Sequence, residues 1–183
     1  MANFVPVDVF DLVIFGGTGD LAMRKLLPAL YHRERDAQIT GDSRIIAASR
    51  GDLGRDEYLG LVEEALRANL REDEFNDDVW STLRERIHYV QSDAFDHDNW
   101  GALVDVLGGA EDRTRIAYLA TAPNLFGPIS QGLRKNDLVT TNSRIVLEKP
   151  LGHDHDSARA INDEVGQCFA ENQIYRIDHY LGK

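Results

Sequence analysis

The sequence is poor in residues that build cross-links. Its 183 residues include one cysteine, Cys168, which cannot form a disulfide within the chain and is a weak basis for a zinc site. We therefore predict no metal site and interpret Cys168 as a core residue. The sequence also lacks the run of about 18 apolar residues that a membrane-spanning helix needs, and its first residues are acidic, unlike a secretory signal. We expect a soluble, cytoplasmic protein with no membrane partner.

Positive charge is scarce as well. The 20 Lys and Arg residues are outnumbered by 31 Asp and Glu residues, which gives a formal net charge of −11 with neutral histidines. Such a surface repels phosphate backbones, so we expect no nucleic-acid partner. Any site for an anionic ligand must then be basic locally, and the few well-placed cations become informative.

What the sequence does contain is an alternation of short apolar runs and longer stretches with helical spacing. The apolar runs predict six strands, at 9–16, 44–49, 87–90, 115–121, 144–148 and 173–177. The acidic stretch at 71–80 predicts a solvated junction between helices rather than a domain boundary. Strands that alternate with helices predict an α/β fold with a doubly wound parallel sheet. We place this domain at 1–177.

A glycine-rich turn, GGTGDLA at 16–22, follows the first predicted strand. Gly16, Gly19 and Ala22 fit the spacing G-x-x-G-x-x-A, in which glycines allow close approach to a pyrophosphate and a small third residue lets helix and strand pack. The following helix would direct its first amides at that phosphate, and Pro28 is expected to kink or break this helix. The turn predicts a dinucleotide site; an ordinary strand-to-helix turn is the alternative.

The end of the second predicted strand bears on which dinucleotide binds. NAD sites usually carry an acid here for the ribose 2′-hydroxyl, whereas a 2′-phosphate needs a guanidinium and small hydroxyl groups. Ser49 and Arg50 stand at this position, which favours NADP. The alternative is that Asp52 faces the ribose and Arg50 is a solvated surface residue, and this would favour NAD.

Candidate substrate-binding residues follow the later strands, at the carboxyl ends of the strands, where ligands bind in such folds. Lys149 follows the fifth strand and could meet an anion and a reacting hydroxyl together; a surface lysine in a turn is the alternative. After the sixth strand come His179, Tyr180 and Lys183, whose donors suit a phosphate monoester. Asp178 cannot serve a dianion directly and suits the orientation of a histidine base, which no other part of the sequence clearly supplies.

Three motifs, GGTGDLA, EKPLGHD and RIDHYLGK, occur in this order. Together they closely resemble the N-terminal part of the glucose-6-phosphate dehydrogenase family, and the resemblance runs from about Asp11 to the last residue. The resemblance implies a Rossmann domain, with NADP as the cofactor and glucose 6-phosphate as the substrate. It also implies the activity of the family, oxidation of glucose 6-phosphate to 6-phosphogluconolactone at the entry to the pentose phosphate pathway.

The resemblance further implies roles for individual residues. Cofactor-binding residues would be Gly16, Gly17, Thr18, Gly19, Asp20, Leu21, Ala22, Arg50 and Lys149. Thr18 and Arg50 would lie at the 2′-phosphate. Lys149 would touch both cofactor and sugar, while His179, Tyr180 and Lys183 would bind the substrate phosphate. Asp178 would pair with a catalytic histidine that lies downstream in this family, in a second, strand-rich domain.

Since the sequence ends before that histidine, we expect residues 178–183 to begin the substrate-binding site and the rest of the second domain to be missing. The chain alone would bind NADP without turnover and be monomeric or weakly associated, whereas the full-length form would be a homo-oligomer. A nucleotide-binding module without chemistry is the alternative to an oxidoreductase. The group of residues at 178–183 favours the oxidoreductase, because a sensor needs no second phosphate site.

Overall fold

The computed structural model describes residues 5–108, 112–152 and 154–177. The described residues form one six-stranded sheet with the strand order β3-β2-β1-β4-β5-β6, and all five neighbouring pairs are parallel. The strands are β1 (Phe10–Phe15), β2 (Arg44–Ser49), β3 (Ile87–Gln91), β4 (Thr114–Leu119), β5 (Ser143–Glu148) and β6 (Ile174–Ile177). This order confirms the doubly wound Rossmann fold and places its switch point between β1 and β4.

Helices cover both faces of the sheet. Within the described residues they are α1 (Leu27–Arg35), α2 (Arg55–Asn69), α3 (Asp77–Arg86), α4 (Gly101–Leu107), α5 (Phe126–Lys135) and α6 (His155–Gly166). One hydrophobic cluster joins α1, α2 and α3 to β1, β2 and β3, and a second cluster on the other face contains residues of α4, α5 and α6. Cys168 is buried in the second cluster, as predicted. No helix in the described ranges is long and apolar enough to cross a membrane.

The first helix begins at Asp20, passes through a π-helical turn at Ala22–Leu26 and continues as α1, with Pro28 in its first turn. The N–H of Leu27 donates to the carbonyl oxygen of Ala22, five residues earlier. In an α-helix, residues five apart point about 140° away from each other. The wider π turn lets Ala22 and Leu27 share one buried face, and both are fully buried. The helix is not interrupted at Pro28, and its departure from α-helical geometry is the π turn just before this residue.

The predicted solvated junction at 71–80 is confirmed for residues 71–76, which connect α2 to α3 and are mostly exposed, whereas its last four residues belong to helix α3. The side chain of Asn76 caps the helix by accepting hydrogen bonds from the N–H groups of Asp78 and Val79. Acidic residues in the first turn are favourable there because they face the positive end of the helix dipole. Trp80 and Leu83 are buried in the hydrophobic cluster that joins α1, α2 and α3 to the sheet. The acidic stretch thus contains both the junction and the start of a helix whose apolar face is narrow.

Ion pairs connect the amino-terminal ends of three strands. Asp11 on β1 is fully buried, and its two carboxylate oxygens accept hydrogen bonds of 2.7 and 2.8 Å from Arg44 on β2. Arg113, next to β4, donates to the same carboxylate at 3.1 Å and also pairs with Asp42. These charge-assisted bonds compensate for the loss of water around Asp11 and link the two halves of the sheet.

Candidate dinucleotide-binding site

The glycine turn after β1 has a backbone that other residues could not adopt without strain. Gly16 has a φ of 83°, and a Cβ atom there would lie 2.4 Å from the carbonyl oxygen of Ala120. The N–H groups of Gly16 and Gly17 both donate to the carbonyl oxygen of Ala48, at 2.9 and 3.2 Å. Gly19 closes the turn through a 2.8 Å hydrogen bond to the carbonyl oxygen of Gly16. The turn is therefore fixed tightly against β2 and β4.

Side chains behind the turn hold it in place. A Cβ atom on Gly17 would lie 2.6 Å from the Cβ of Ala47, so the turn contacts β2 directly. The buried hydroxyl of Tyr58 donates to the carbonyl oxygen of Gly17 at 2.8 Å. Burial raises the pKa of Tyr58, so this hydroxyl stays protonated and remains a donor. Ala22 is fully buried, as expected for the small third residue of the motif.

A cavity of about 600 Å³ opens at the carboxyl ends of β1, β2, β3 and β4. Its wall combines the glycine turn with the segments that follow β2, β3 and β4. The lining residues are Phe15, Gly16, Thr18, Gly19, Ser49, Arg50, Gly51, Ser92, Asp93, Ala94, Phe95, Thr121, Ala122, Asn124, Leu125 and Ile129. Its volume lies in the range of about 300–1,000 Å³ that is typical of small-molecule sites, and it adjoins the switch point where doubly wound folds bind ligands.

Two hydroxyl groups in contact and an arginine line the cavity at the end of β2. The hydroxyl oxygens of Thr18 and Ser49 are 2.8 Å apart, and the N–H of Thr18 also lies 3.4 Å from the Ser49 hydroxyl. Arg50 lines the same cavity, and its guanidinium makes no hydrogen bond or ion pair with any described residue. Asp52, the alternative ribose contact, is exposed and does not line the cavity. The end of β2 thus presents a cation and hydroxyl groups to the cavity.

The other predicted cofactor residues lie around the cavity rather than in its wall. Gly17 and Ala22 are buried behind the turn, and Leu21 is half-buried at the start of the helix. Asp20 is exposed and lies 3.5 Å from Arg24. The structure therefore brings Gly16, Thr18, Gly19 and Arg50 together, and the roles of all these residues stay predictions.

Lys149 lies apart from this cavity, at the carboxyl end of β5. Its side chain is exposed, its peptide bond to Pro150 is cis, and its N–H donates to the carbonyl oxygen of Ile177 at 3.0 Å. The preceding Glu148 accepts a hydrogen bond from the hydroxyl of Tyr118 on β4. Burial and this carboxylate raise the pKa of Tyr118, which keeps the hydroxyl protonated. Lys149 thus follows a carboxylate that is held by a neighbouring strand.

The predicted substrate-side residues Asp178, His179, Tyr180 and Lys183 lie outside the described residues. In the described ranges, no group of three or more His, Cys, Asp or Glu side chains could hold a metal ion.

Sequence reasoning missed the part of the cavity that follows β3 and the polar residues that follow β4. Ser92, Asp93 and Phe95 come directly after β3, while Thr121 and Asn124 follow β4. The rule that ligands bind at the carboxyl ends of strands could have found them, because both segments come next after predicted strands. The segment after β3 contains no glycine and no cation, so nothing in its composition indicated a binding site.

Comparison with known proteins connects this geometry to a family. Residues 13–183 match the family model of the glucose-6-phosphate dehydrogenase NAD binding domain. The glucose-6-phosphate 1-dehydrogenase of Rhizobium meliloti is 49% identical over 182 residues, which cover 100% of this chain and 37% of that protein. The enzyme of Gluconobacter oxydans is also 49% identical and covers 100% of this chain and 38% of its own length. The chain thus spans less than two-fifths of the curated relatives that it matches.

Solved structures agree. Glucose-6-phosphate 1-dehydrogenase from Mycobacterium avium is 37% identical with a TM-score of 0.85, over 95% of this chain and 37% of that chain. A glucose-6-phosphate dehydrogenase in complex with its substrate glucose-6-phosphate is 26% identical with the same TM-score of 0.85, over 100% of this chain and 39% of that chain. The chain therefore belongs to the glucose-6-phosphate dehydrogenase family, and it corresponds to the nicotinamide dinucleotide-binding domain of that oxidoreductase family.

Proposed function

We propose that the chain is the NADP-binding part of a cytoplasmic glucose-6-phosphate dehydrogenase, which oxidises glucose 6-phosphate to 6-phosphogluconolactone at the entry to the pentose phosphate pathway. The observation that carries this proposal is that Thr18, Ser49 and Arg50 all line the cavity at the end of β2. When bound, NADP would supply the hydride acceptor.

The chemistry of the cluster suits a 2′-phosphate. A guanidinium forms paired, charge-assisted hydrogen bonds with phosphate oxygens, and adjacent hydroxyl groups add neutral donors. In a chain of net charge −11, Arg50 supplies a local positive charge at the cavity, and its guanidinium pairs with no described residue, so it can meet an anionic ligand. No carboxylate from β2 lines the cavity to favour a bare 2′-hydroxyl.

The glycine turn supports the placement of the dinucleotide phosphates. Gly16 and Gly19 line the cavity without side chains, so a ligand could approach their backbone closely. The first helix starts directly after this turn, and the N–H groups of its first turn favour an anion.

The substrate side of the proposal rests on Lys149, His179, Tyr180, Lys183 and Asp178. Ile177, the last described residue, accepts a hydrogen bond from the N–H of Lys149, so β6 ends beside this lysine directly before the segment 178–183. We propose that Lys149 contacts both cofactor and sugar, that the three donors bind the substrate phosphate, and that Asp178 orients a histidine base. The relative solved with glucose-6-phosphate supports this assignment of the substrate.

Titration calorimetry tests the cofactor assignment. Arg50→Ala should lower NADP affinity by about 2 kcal/mol and leave NAD affinity almost unchanged, because only NADP carries the 2′-phosphate. Arg24→Ala is the matched control, since Arg24 is an exposed arginine near the same turn that does not line the cavity. This control should change neither affinity. Equal losses for NADP and NAD in Arg50→Ala would contradict the proposal.

Turnover is tested by the absorbance of NADPH. We expect no measurable oxidation of glucose 6-phosphate by the 183-residue chain, because general-base assistance is typically worth about 10²- to 10⁴-fold in rate and the histidine implied by the family lies downstream. A chimera that joins these residues to the remainder of the Rhizobium meliloti enzyme should be active. Turnover by the chain alone would contradict this expectation, and an inactive but NADP-binding chimera would favour a binding module.

A further inference from the structure

The segment that follows β2 is held by side chains of the neighbouring strand β3. The hydroxyl of Tyr89 donates to the carbonyl oxygen of Gly51 at 2.6 Å. The side-chain amide of Gln91 donates to the carbonyl oxygen of Arg50 at 3.0 Å. Two consecutive carbonyl groups are therefore fixed by one strand, and the path of the backbone at residues 50–51 depends on β3 as well as on β2.

This support matters because no described residue holds the side chain of Arg50. Its guanidinium lines the cavity and makes no hydrogen bond or ion pair with the described part of the chain. An arginine side chain without partners samples many rotamers, so the position of its backbone decides which part of the cavity the guanidinium can reach. A shift of the backbone at Arg50 would therefore change where its charge lies in the cavity.

Tyr89 also packs against the tyrosine behind the glycine turn. The ring centroids of Tyr58 and Tyr89 are 4.9 Å apart, with an angle of 32° between the ring planes. Tyr58 is fully buried, and its hydroxyl donates to the carbonyl oxygen of Gly17 at 2.8 Å. The two tyrosines thus form a packed pair, in which one hydroxyl holds the glycine turn and the other holds the segment after β2.

The hydroxyl of Tyr89 is a reliable donor in this arrangement. Burial and the nearby carboxylates of Asp52 and Glu57 raise the pKa of Tyr89, so the hydroxyl stays protonated. The ring is half-buried and packs against the hydrophobic cluster that joins α1, α2 and α3 to the sheet. Because the cluster fixes the ring, the ring in turn fixes the position of the carbonyl group of Gly51.

We propose that Tyr89, with Gln91 as a second support, is a positioning residue that sets the preference for NADP over NAD. It acts through the backbone of residues 50–51, which places Arg50 for contact with the 2′-phosphate. This inference rests on the proposed function, because it requires that contact. Tyr58 has a different role, since the glycine turn that it holds serves the pyrophosphate, which NADP and NAD share. One tyrosine of the pair thus supports binding of either dinucleotide, and the other supports selection of the 2′-phosphate.

The test compares the affinities of the full chain for NADP and for NAD. Tyr89→Phe keeps the ring and removes one hydrogen bond, so it should lower NADP affinity about fivefold, as is typical for one such bond, and leave NAD affinity unchanged. Gln91→Leu should show the same split, because it removes the neighbouring bond to Arg50. Tyr58→Phe should instead lower both affinities by the same factor. Tyr175→Phe is the matched control, since Tyr175 is exposed on β6 outside the cavity, and it should change neither affinity.

The ratio of the two affinities separates positioning from damage to the fold. A merely structural role of Tyr89 would change both affinities together, or only the midpoint of urea unfolding, and either result for Tyr89→Phe would overturn the inference. Wild-type NADP affinity of Tyr89→Phe, with a loss in Arg50→Ala that is confined to NADP, would also overturn it and leave the proposed function standing. Equal losses of NADP and NAD affinity in Arg50→Ala would overturn both.

Discussion

Arginines at the two ends of the strands have opposite roles. At the amino-terminal ends of the strands, Arg44 and Arg113 are paired with the buried carboxylate of Asp11. At the carboxyl-terminal ends, Arg50 lines a cavity and pairs with no described residue. The difference shows that the first group serves stability, because its charges satisfy one another, whereas the second is available to a ligand.

The same division extends to the backbone. The amino-terminal ends of β1, β2 and β4 are held by side-chain pairs that link the two halves of the sheet. The turn after β1 is held mainly by backbone contacts, with Gly16 and Gly17 against Ala48, and Gly16 and Gly19 present backbone rather than side chains to the cavity. Substitutions at the amino-terminal ends of the strands should therefore change the free energy of unfolding. Substitutions at the carboxyl-terminal ends should change ligand affinity.

Asp11→Asn should have the largest effect of the changes considered. It removes the charge that compensates two arginines in a buried setting, and breaking such a network typically costs about 3–5 kcal/mol. We expect urea unfolding to show a loss of this order. The folded variant should bind NADP with unchanged affinity. A loss of NADP affinity as large as the loss of stability would contradict the separation of roles between the two ends of the strands.

Asp42→Asn is the matched control for Asp11. Its carboxylate pairs with Arg113, yet its side chain is 79% exposed. Hydrogen bonding to Arg113 holds the pKa of Asp42 below its usual range, so any contribution of this pair is present above the usual carboxyl pKa and is lost as the pH falls. We expect a much smaller change than for Asp11→Asn, because an exposed pair is screened by water.

Gly16→Ala should affect both properties, because the glycine turn belongs to the fold and to the site. The positive φ and the contact with Ala120 predict a loss of about 2 kcal/mol in unfolding free energy. NADP affinity should fall as well. Gly60→Ala in the middle of α2 is the control: no atom lies within 4 Å of the added methyl group, so it should gain about 0.5–1 kcal/mol. Destabilisation by Gly60→Ala would show that the change from glycine to alanine is unfavourable in itself. The loss of stability in Gly16→Ala could then not be attributed to the geometry of the turn.

Thr18→Val should have a smaller effect, which is limited to NADP binding at the carboxyl-terminal ends of the strands. The loss of one hydroxyl donor should lower NADP affinity by about 1 kcal/mol without changing NAD affinity or the unfolding midpoint. Thr82→Val on α3, where the hydroxyl donates to the carbonyl oxygen of Asp78 on the protein surface, is the control for the substitution and should leave both nucleotide affinities unchanged. Calorimetry with both nucleotides makes the comparison, and a loss of NAD affinity would place Thr18 elsewhere on the ligand.

The weakest effect concerns association through the far end of the sheet. Strand β6 is at the edge of the sheet, and Tyr175 and Ile177 are exposed there. We expect light scattering at micromolar concentration to show a monomer or weak, concentration-dependent association. A tight dimer whose mass does not change on dilution would show that the chain carries a full interface of its own.

The sequence predicted the sheet and the glycine turn because both depend on local patterns. Buried parallel strands such as 44–49 read as continuous apolar runs, and the turn needs glycine for steric reasons that spacing reveals. Helix α3 was missed because its apolar face consists of few residues, of which Trp80 and Leu83 are fully packed. The contribution of the loop after β3 to the cavity wall was missed, because the position of Phe95 beside a cavity depends on the tertiary structure.

Arg50 marks the limit of local reasoning at the site. Its position after β2 favoured NADP from the sequence alone, but a solvated surface arginine would have the same neighbours in the sequence. Only the three-dimensional arrangement shows that its guanidinium lacks a partner in the described residues, while Asp52 lies outside the cavity wall. Pairing between distant residues, as at Asp11 and Arg113, cannot be read from local patterns.

The most direct test of the account is a crystal structure of the chain with NADP. We predict that the 2′-phosphate lies within hydrogen-bonding distance of the Thr18 and Ser49 hydroxyls and of the Arg50 guanidinium. A 2′-phosphate bound away from these groups, or a ribose held by Asp52, would contradict the claim that the cavity at the carboxyl-terminal ends of the strands is an NADP site.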